Sequence, residues 1–432
     1  MGSTITSSPD FVIRSLTTAP EIEAFYRLNA QVFRPDHDTV LIATRRRRFI
    51  TEAPDFHPEQ LRGAFLGTTY LGGYRIPAFT VHMGPARLRI CGIGAVVTHP
   101  AYRHQGIAGA LMRDAIAYAT QRHYALLLLD GIPNFYSQFG YVNVLDRLHH
   151  AIASEEIHAH PPSPYTVRPA TLDDVPALLT LHQCHYGSYP GSFDRTQEQQ
   201  EHLLRHRFIF AEEPPVMVLT PDDEPRGYLI PFQKRTPAYH VLEVASNDWP
   251  AALALLQHSA HLVEQTLDPP KEVLWPLPPN ASTLYILADN VAVRSETHRI
   301  LDVGWMACPA HVPTLLHTLV PLWQERMQRH TVAWSGILAL EVDDSVCYLE
   351  VRSGTLRVRE SPCAPVDTVR LTSRVFLQCS LDTVLSFGLS TNRHNVFPLP
   401  FFLCLRSSFR KSQPGSLAQT VIENIAHMAF HT

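Results

Sequence analysis

The 432-residue chain lacks a strong charge of either sign: 36 Lys and Arg stand against 40 Asp and Glu, a formal net charge of −4. A chain built to spread over nucleic acid or an acidic membrane carries a large positive excess, so neither partner is expected here, although a local basic patch stays open. Paired cysteines are missing too. None of Cys91, Cys184, Cys308, Cys347, Cys363, Cys379 and Cys404 has CxxC spacing, and the odd count argues against a full disulfide framework. Each is read as a small buried hydrophobe in a reduced compartment. No apolar run approaches the ~20 residues of a membrane span. The start, MGSTITSSPD, has neither the basic lead nor the apolar core of a signal peptide. The expectation is a soluble cytoplasmic protein. Metal-ligand spacing is also missing. His149 and His150, and the HAH run from His158 to His160, sit in or beside a Pro-rich connector and read as solvated linker, so no metal is expected.

What is present is an ordinary globular balance, 45% hydrophobic and 18% charged, enough for more than one core. At roughly 100–200 residues per domain the length allows two to four domains. The clearest break is HAHPPSPY, residues 158–165, whose prolines can continue neither helix nor central strand. After it, TVRPATLDDVPALLTLHQ reads as strand, polar break and helix. Thr171 is the N-cap, Asp173 and Asp174 suit the first turn, and Leu172, Val175, Leu178, Leu179 and His182 follow helical spacing. The chain start, FVIRSLTTAPEIEAFYRLNAQVF, has the same form, so two modules begin alike near residues 11 and 165. A third change falls near Asp302, where GWMACPAHVPTLLHTLVPLW gives strand then helix. YLEVRSGTLRVRE then predicts a hairpin. Leu349, Val351, Leu356 and Val358 alternate with charged residues, and Ser353-Gly354 makes the turn. VFLQCSLDTVLSFG, 375–388, has Leu377, Leu381, Val384 and Leu385 at helical spacing and ends in Gly388. This third part is therefore α+β.

The segment with chemical content is THPAYRHQGIAGALM, Thr98 to Met112. RLRICGIGAVV before it predicts a strand over Arg87 to Val97, and Ile107, Ala108, Leu111, Met112, Ala115 and Ile116 after it form a helical stripe. Gly106 has no Cβ and lets a ligand approach the backbone. The helix start offers free N–H groups and a positive dipole end, a good phosphate site, and Arg103 adds charge. Ala108 and Gly109 are small enough to press the helix onto the sheet. The segment has neither the Lys-Ser/Thr pair of a nucleoside triphosphate loop nor three glycines in GxGxxG order, and R-x-x-G-x-A alone also describes a tight turn with no ligand. Downstream, YALLLLD is an apolar run suited to a strand buried on both faces, followed by GIPNFYSQFGYV.

This order of strand, R-x-x-G-x-A, helix, buried strand and FYxxFGY resembles the GCN5-related N-acetyltransferase (GNAT) superfamily. The whole layout resembles the Eis (enhanced intracellular survival) family within it, most strongly at THPAYRHQGIAGAL, NFYSQFGYV and WMACPAHVPTLLHTLVPLW. The fold the resemblance implies is an α+β and α/β multidomain chain. It has a catalytic GNAT domain over 1–157, a linker over 158–165 and a second, degenerate GNAT-like module over 166–302. A sterol-carrier-protein-like α+β domain over 303–432 completes it, its tail reaching the active site. Acetyl-CoA is the implied cosubstrate. Its pantetheine arm lies between two splayed strands against Ala95, Val96, Val97 and Thr98. Its pyrophosphate lies on the amides of Arg103, His104, Gln105, Gly106, Ile107 and Ala108. The middle module, with NDWPAALALLQ after YHVLEVAS, lacks this cradle and is given no cofactor site.

Acetyl transfer to an amine needs a neutral amine, a stabilised carbonyl oxygen and a proton for the departing thiolate. The resemblance gives the proton to Tyr136, a phenol that keeps its proton at neutral pH. Phe139 and Tyr141 are read as packing. A backbone N–H near Val96 or Val97 is the oxyanion donor if the strand bulges there. The resemblance makes the C-terminal carboxylate, here on Thr432, the base, with His431 and Asp130 as substitutes. Arg45 to Arg48 could draw CoA phosphates or an acidic partner but read first as a solvated helical face. The expected function is acetylation of a primary amine on a small, aminoglycoside-like multi-amine compound. Homo-oligomers, often hexamers, are implied by the family. One alternative is a non-catalytic binding protein holding lipid in the C-terminal domain over a vestigial acetyltransferase fold. Another is partner recruitment without turnover.

Overall fold

The computed structural model describes residues 11–144, 147–206, 214–235, 238–264, 271–278, 281–298, 304–329, 335–361, 367–372 and 376–377. The first part runs β1 (Val12–Ser15), α1 (Ala19–Phe33), α2 (Thr39–Thr51), β2 (Leu61–Leu66), β3 (Thr69–Arg75), β4 (Ala78–Met83) and β5 (Ala86–Gly92). It continues through β6 (Gly94–Thr98), α3 (Ile107–Gln121), β7 (Leu126–Gly131), β8 (Val142–Asn143) and β9 (Arg147–Ala153). The middle part has α4 (Ser154–His158), β10 (Thr166–Pro169), α5 (Val175–Tyr186), α6 (Gln197–His206), β11 (Val216–Leu219), β12 (Pro225–Arg235) and β13 (Ala238–Ser246). Then come α7 (Trp249–Glu264), β14 (Glu272–Trp275), α8 (Ser282–Ala288) and β15 (Val293–His298). The last part has β16 (Gly304–Pro309), α9 (Val312–Arg329), β17 (Gly336–Val342), β18 (Ser345–Arg352), β19 (Thr355–Arg359) and β20 (Asp367–Leu371).

Among the described residues four sheets form: β1-β2-β3-β6, β4-β5-β7-β16-β8, β10-β11-β12-β13-β14-β9-β15 and β19-β18-β17-β20. Sheet membership does not follow the chain boundaries expected at 157 and 302. β9 precedes the linker yet lies between β14 and β15 of the middle sheet, and β16 begins the third part yet pairs with β7 and β8 of the first. The strand expected over 87–97 is two strands. β5 stays in the β4–β16 sheet, and after Ile93 the chain crosses as β6 to the sheet of β3.

Both module starts are held by one device. Thr18 caps α1 in a capping box with Glu21, and Arg14 of β1 donates to Glu21 at 2.6 Å. Thr171 forms the same box with Asp174, which Arg168 of β10 grips at 2.7 and 2.8 Å. The helix start expected at Thr171 is first a single 3₁₀ turn, 172–174, and Leu172 is exposed rather than in the stripe. The hairpin of β18 and β19 turns where expected, with Ser353 and Gly354 at φ 49° and 72°.

Other expectations change with burial. His149 and His150 lie in β9, not in a linker, and buried His150 is held by Ser295 Oγ at 2.8 Å and the Leu277 carbonyl at 3.0 Å. Arg45 to Arg48 do lie on α2, but Arg46 turns inward and donates to Asn29. The helix expected over 375–388 lies outside the described residues except for 376–377. No described helix is long and apolar enough to cross a membrane.

Candidate active site

β5 and β7 run parallel and pair at Cys91 with Leu127 and Gly92 with Leu128, and Ile93 N–H still reaches the Leu128 carbonyl at 2.8 Å. Beyond that point the two strands part. β6 pairs with β3 on one side, β7 pairs with β16 on the other, and no described strand fills the gap between them. The β6 edge facing β7 thus offers backbone N–H and C=O groups to an extended ligand. Ala95, Val96, Val97 and Thr98, the expected pantetheine contacts, are β6.

β6 bulges at Ala95 and Val96. Val97 opposes Gly73 and Gly94 opposes Arg75, so Ala95 and Val96 share Tyr74, and Ala95 takes φ 55°. β6 sits this close to β3 because β3 carries Gly72, while Gly73 allows the same approach to Arg62 of β2. A Cβ on Gly72 would lie 2.4 Å from the Val97 carbonyl oxygen and 3.0 Å from Thr98 Cα. A glycine pair inside a strand is a signal of close backbone approach, and it was readable in YLGGYR.

After β6, a 3₁₀ turn at Pro100–Tyr102 leads to Arg103, His104, Gln105 and Gly106, all exposed. His104 and Gly106 are left-handed at φ 62° and 79°, a backbone shape that gathers amides around an anion. Gly106 is the N-cap of α3 and makes no side-chain cap bond, so the N–H groups from Ile107 and Ala108 onward are not taken by a cap. α3 is fixed to the sheet by Ile107, Leu111, Met112, Ala115, Tyr118 and Ala119, all buried. It is also fixed by Asp114, which accepts from Arg62 Nε and Nη2 at 2.6 and 2.9 Å and from the Tyr74 hydroxyl at 2.6 Å. Gly109 does not serve close packing on the sheet. A Cβ there would make ordinary contact with Phe139 and Arg113 at 3.6 Å.

Tyr136 follows β7 and lies in the core that Leu129 shares with α3. It precedes the turn Ser137–Phe139, stacks edgewise on Phe135 and Tyr141 at 4.9 and 6.0 Å, and is 7% exposed. Burial, then the charge of Asp130, raises its pKa, so it holds its proton throughout the neutral range. The same burial pushes the neighbouring Cys91 and Cys308 thiols up to about 12. Tyr141 is fully buried and its hydroxyl has no hydrogen-bond partner, whereas Phe139 is half-buried against the same core.

The middle module has the same frame with its openings filled. β13 pairs in parallel with β14 over 238–240 and then continues alone on that side. There, Thr283 Oγ1 bonds both the N–H and the carbonyl of Ser246, each at 3.2 Å. At the start of α7, Asp248 accepts from Ala251 N–H at 2.9 Å. Thr432 and His431 lie outside the described residues. No group of three or more metal-ligating side chains occurs among the described ones.

Residues 12–143 match the family of acetyltransferase (GNAT) domains. The first part of this chain is a GNAT domain. It is the acetyltransferase domain of an enzyme. No curated protein matches the chain in sequence. Among solved structures, the chain is similar to a GCN5-related N-acetyltransferase from Anabaena variabilis ATCC 29413, at TM-score 0.61 and 18% identity over 86% of this chain and 90% of that one. It is similar to one from Kribbella flavida, at TM-score 0.59 and 17% identity over 88% and 92%. Eis1 from Mycobacterium abscessus gives TM-score 0.50 and 17% identity over 87% and 88%. At these identities the likeness is one of fold, and it extends well beyond the GNAT domain.

Proposed function

We propose that the chain is an acetyl-CoA-dependent N-acetyltransferase acting on a primary amine of a small multi-amine compound of the aminoglycoside kind. The observation that carries this is the parting of β6 from β7 beside a bulge at Ala95, with an uncapped, left-handed turn at the end of the same strand. The residues fit the cosubstrate. The free edge of Ala95 to Thr98 suits a pantetheine arm, and the amides from Arg103 to Ala108 suit a diphosphate. Acetyl-CoA supplies an activated acetyl thioester when bound.

The chain's own residues then do three things. A backbone N–H of Val96 or Val97 faces the carbonyl oxygen as charge gathers on it. The Tyr136 hydroxyl gives its proton to the departing sulfur and regains one from solvent. The carboxylate of Thr432 takes the proton released by the attacking nitrogen. The Eis-like arrangement, with a sterol-carrier-protein-like third domain around β17–β20 and α9 and assembly into homo-oligomers, belongs to the same reading. So does a cytoplasmic location, in keeping with free Cys91, Cys184, Cys308 and Cys347.

The test is thiol release from acetyl-CoA across an amine panel, with CoA binding followed by calorimetry. Tyr136→Phe is expected to lower kcat about 100-fold or more while CoA affinity stays. Protein that ignores CoA at millimolar excess would end this reading.

A further inference from the structure

The middle module holds a second reactive arrangement where its frame is filled, at the end of β13. His185 of α5, Asn247 just after β13 and Ser282 of α8 meet there. His185 Nε2 bonds Asn247 Oδ1 at 2.8 Å, and its Nδ1 lies 3.2 Å from Ser282 Oγ. These bonds fix the tautomer. Asn247 Oδ1 only accepts, so Nε2 carries the proton and Nδ1 keeps its lone pair. Thr283 Oγ1 also lies near Nδ1, at 3.4 Å, but its single proton goes to the Ser246 carbonyl at 3.2 Å. Nδ1 therefore accepts from Ser282. That hydroxyl is not spent on its own helix, because the N-cap of α8 is Ala281. The imidazole is buried, at 8% exposure, whereas Ser282 and Asn247 are exposed. A solvent-facing hydroxyl thus rests on a buried, oriented base.

We propose that Ser282, His185 and Asn247 form a serine-nucleophile site that hydrolyses carboxylic esters, independent of the acetyltransferase reading. A hydroxyl is a weak nucleophile until a base within hydrogen-bond reach takes its proton, and that base acts best when a third group holds its ring. Ser282 Oγ attacks the ester carbonyl carbon while its proton passes to His185 Nδ1. The bond from that carbon to the alcohol oxygen breaks, and the alcohol leaves with the same proton. Water then attacks the acyl-Ser282 and gives a proton to Nδ1. The acid departs, and Nδ1 returns the proton to Ser282 Oγ, so water is the one co-reactant. Asn247 touches only the imidazole and is a positioning residue. Tyr285 is 53% exposed and lies one turn on from Ser282, on the same side of α8. Its ring offers an apolar neighbour to an aromatic leaving group, which makes aryl esters the favoured class.

The experiment follows p-nitrophenyl acetate hydrolysis by the full chain without CoA, and labelling by diisopropyl fluorophosphate with peptide mass mapping. It uses wild type, Ser282→Ala, Asn247→Ala and Asn247→Asp. Wild type is expected to hydrolyse the ester above the buffer rate and to take the label on Ser282. Ser282→Ala changes an exposed position, so the fold should stand. It should lose the label and lower kcat/KM about 100-fold or more. Asn247→Ala should lower kcat, and Asn247→Asp should recover most of it, because a carboxylate accepts the same Nε2–H bond. A purely structural Asn247 gives no such recovery in kcat, and its absence overturns the orienting role. No hydrolysis by wild type overturns the site. So does hydrolysis that survives Ser282→Ala, or a label that misses Ser282.

Discussion

Gly72→Ala is a one-methyl perturbation that tests how the cofactor strand is held. The new Cβ would meet the Val97 carbonyl oxygen at 2.4 Å, Thr98 Cα at 3.0 Å and Val97 C at 3.3 Å. All three are backbone atoms, so no side chain can rotate away. Restoring ordinary contact at 3.4 Å or more means moving β6 from β3 by roughly 1 Å. Overpacking of this kind costs about 1–3 kcal/mol, and here the upper end is expected because two hydrogen-bonded strands must part. The shift also falls on Val97 and Thr98, the residues proposed to meet the pantetheine arm. Stability and CoA affinity should therefore fall together, affinity by about tenfold.

Gly94→Ala is the control. It lies on the same strand, and its Cβ would meet nothing within 4 Å. It should leave stability unchanged or raise it by about 0.4–1 kcal/mol through the unfolded chain. Denaturant unfolding and CoA calorimetry on both variants give the answer. Equal stability of the two, or a destabilised Gly72→Ala that binds CoA as wild type does, would refute the link between the Gly72 contact and the placement of β6.

Three further outcomes are expected. Gly106→Ala meets no atom within 4 Å, so its cost is the left-handed φ of 79° alone, about 1–2 kcal/mol, and Gly106→Asn should recover part of it in CoA titrations and thermal unfolding. Arg14 holds Glu21 down at about 2 from an ordinary 4.5, so its share of stability is present above pH 4.5 and lost as pH falls toward 2. Amide protection factors at the first turn of α1 should fall through that window, and Arg14→Ala should flatten the change. Asp248→Ala removes the cap of α7 and should cost about 1 kcal/mol in denaturant unfolding of the chain.

Local chemistry was legible in the sequence, and long-range exchange was not. Thr171 with Asp174, the Ser353-Gly354 turn and Gly106 each act within a few residues, where propensity and capping decide. Apolar periodicity marked β7 and α3 for the same reason. Periodicity carries no information about which sheet a strand joins, so β9 and β16 read as members of their own neighbourhoods. The crossing at Ile93 was invisible in RLRICGIGAVV because both halves are apolar and extended. His150 looked solvated beside a proline run, but its two bonds come from residues more than a hundred positions away. Trp305 has no mark of its own in GWMACP, because exposure at one position of an apolar run leaves no trace in the sequence.

The two modules show what the fold keeps and what the site adds. Each has an arginine from its first strand gripping the acid of a threonine capping box. Each has a glycine opposite the last residue of the neighbouring strand: Gly72 opposes Thr98, and Gly227 opposes Ser246. A Cβ would meet a carbonyl oxygen at 2.4 Å in the first and 2.7 Å in the second. Close strand approach is therefore a property of the frame, not of cofactor binding, and Gly227→Ala should destabilise the middle module without touching CoA affinity. The difference lies at the frame's openings. Thr283 and Asp248 satisfy backbone groups of β13 and α7, whereas the N-cap of α3 is Gly106, which has no side chain to do so. Buried polar backbone needs a partner from somewhere. In the middle module Thr283 and Asp248 supply it at Ser246 and Ala251.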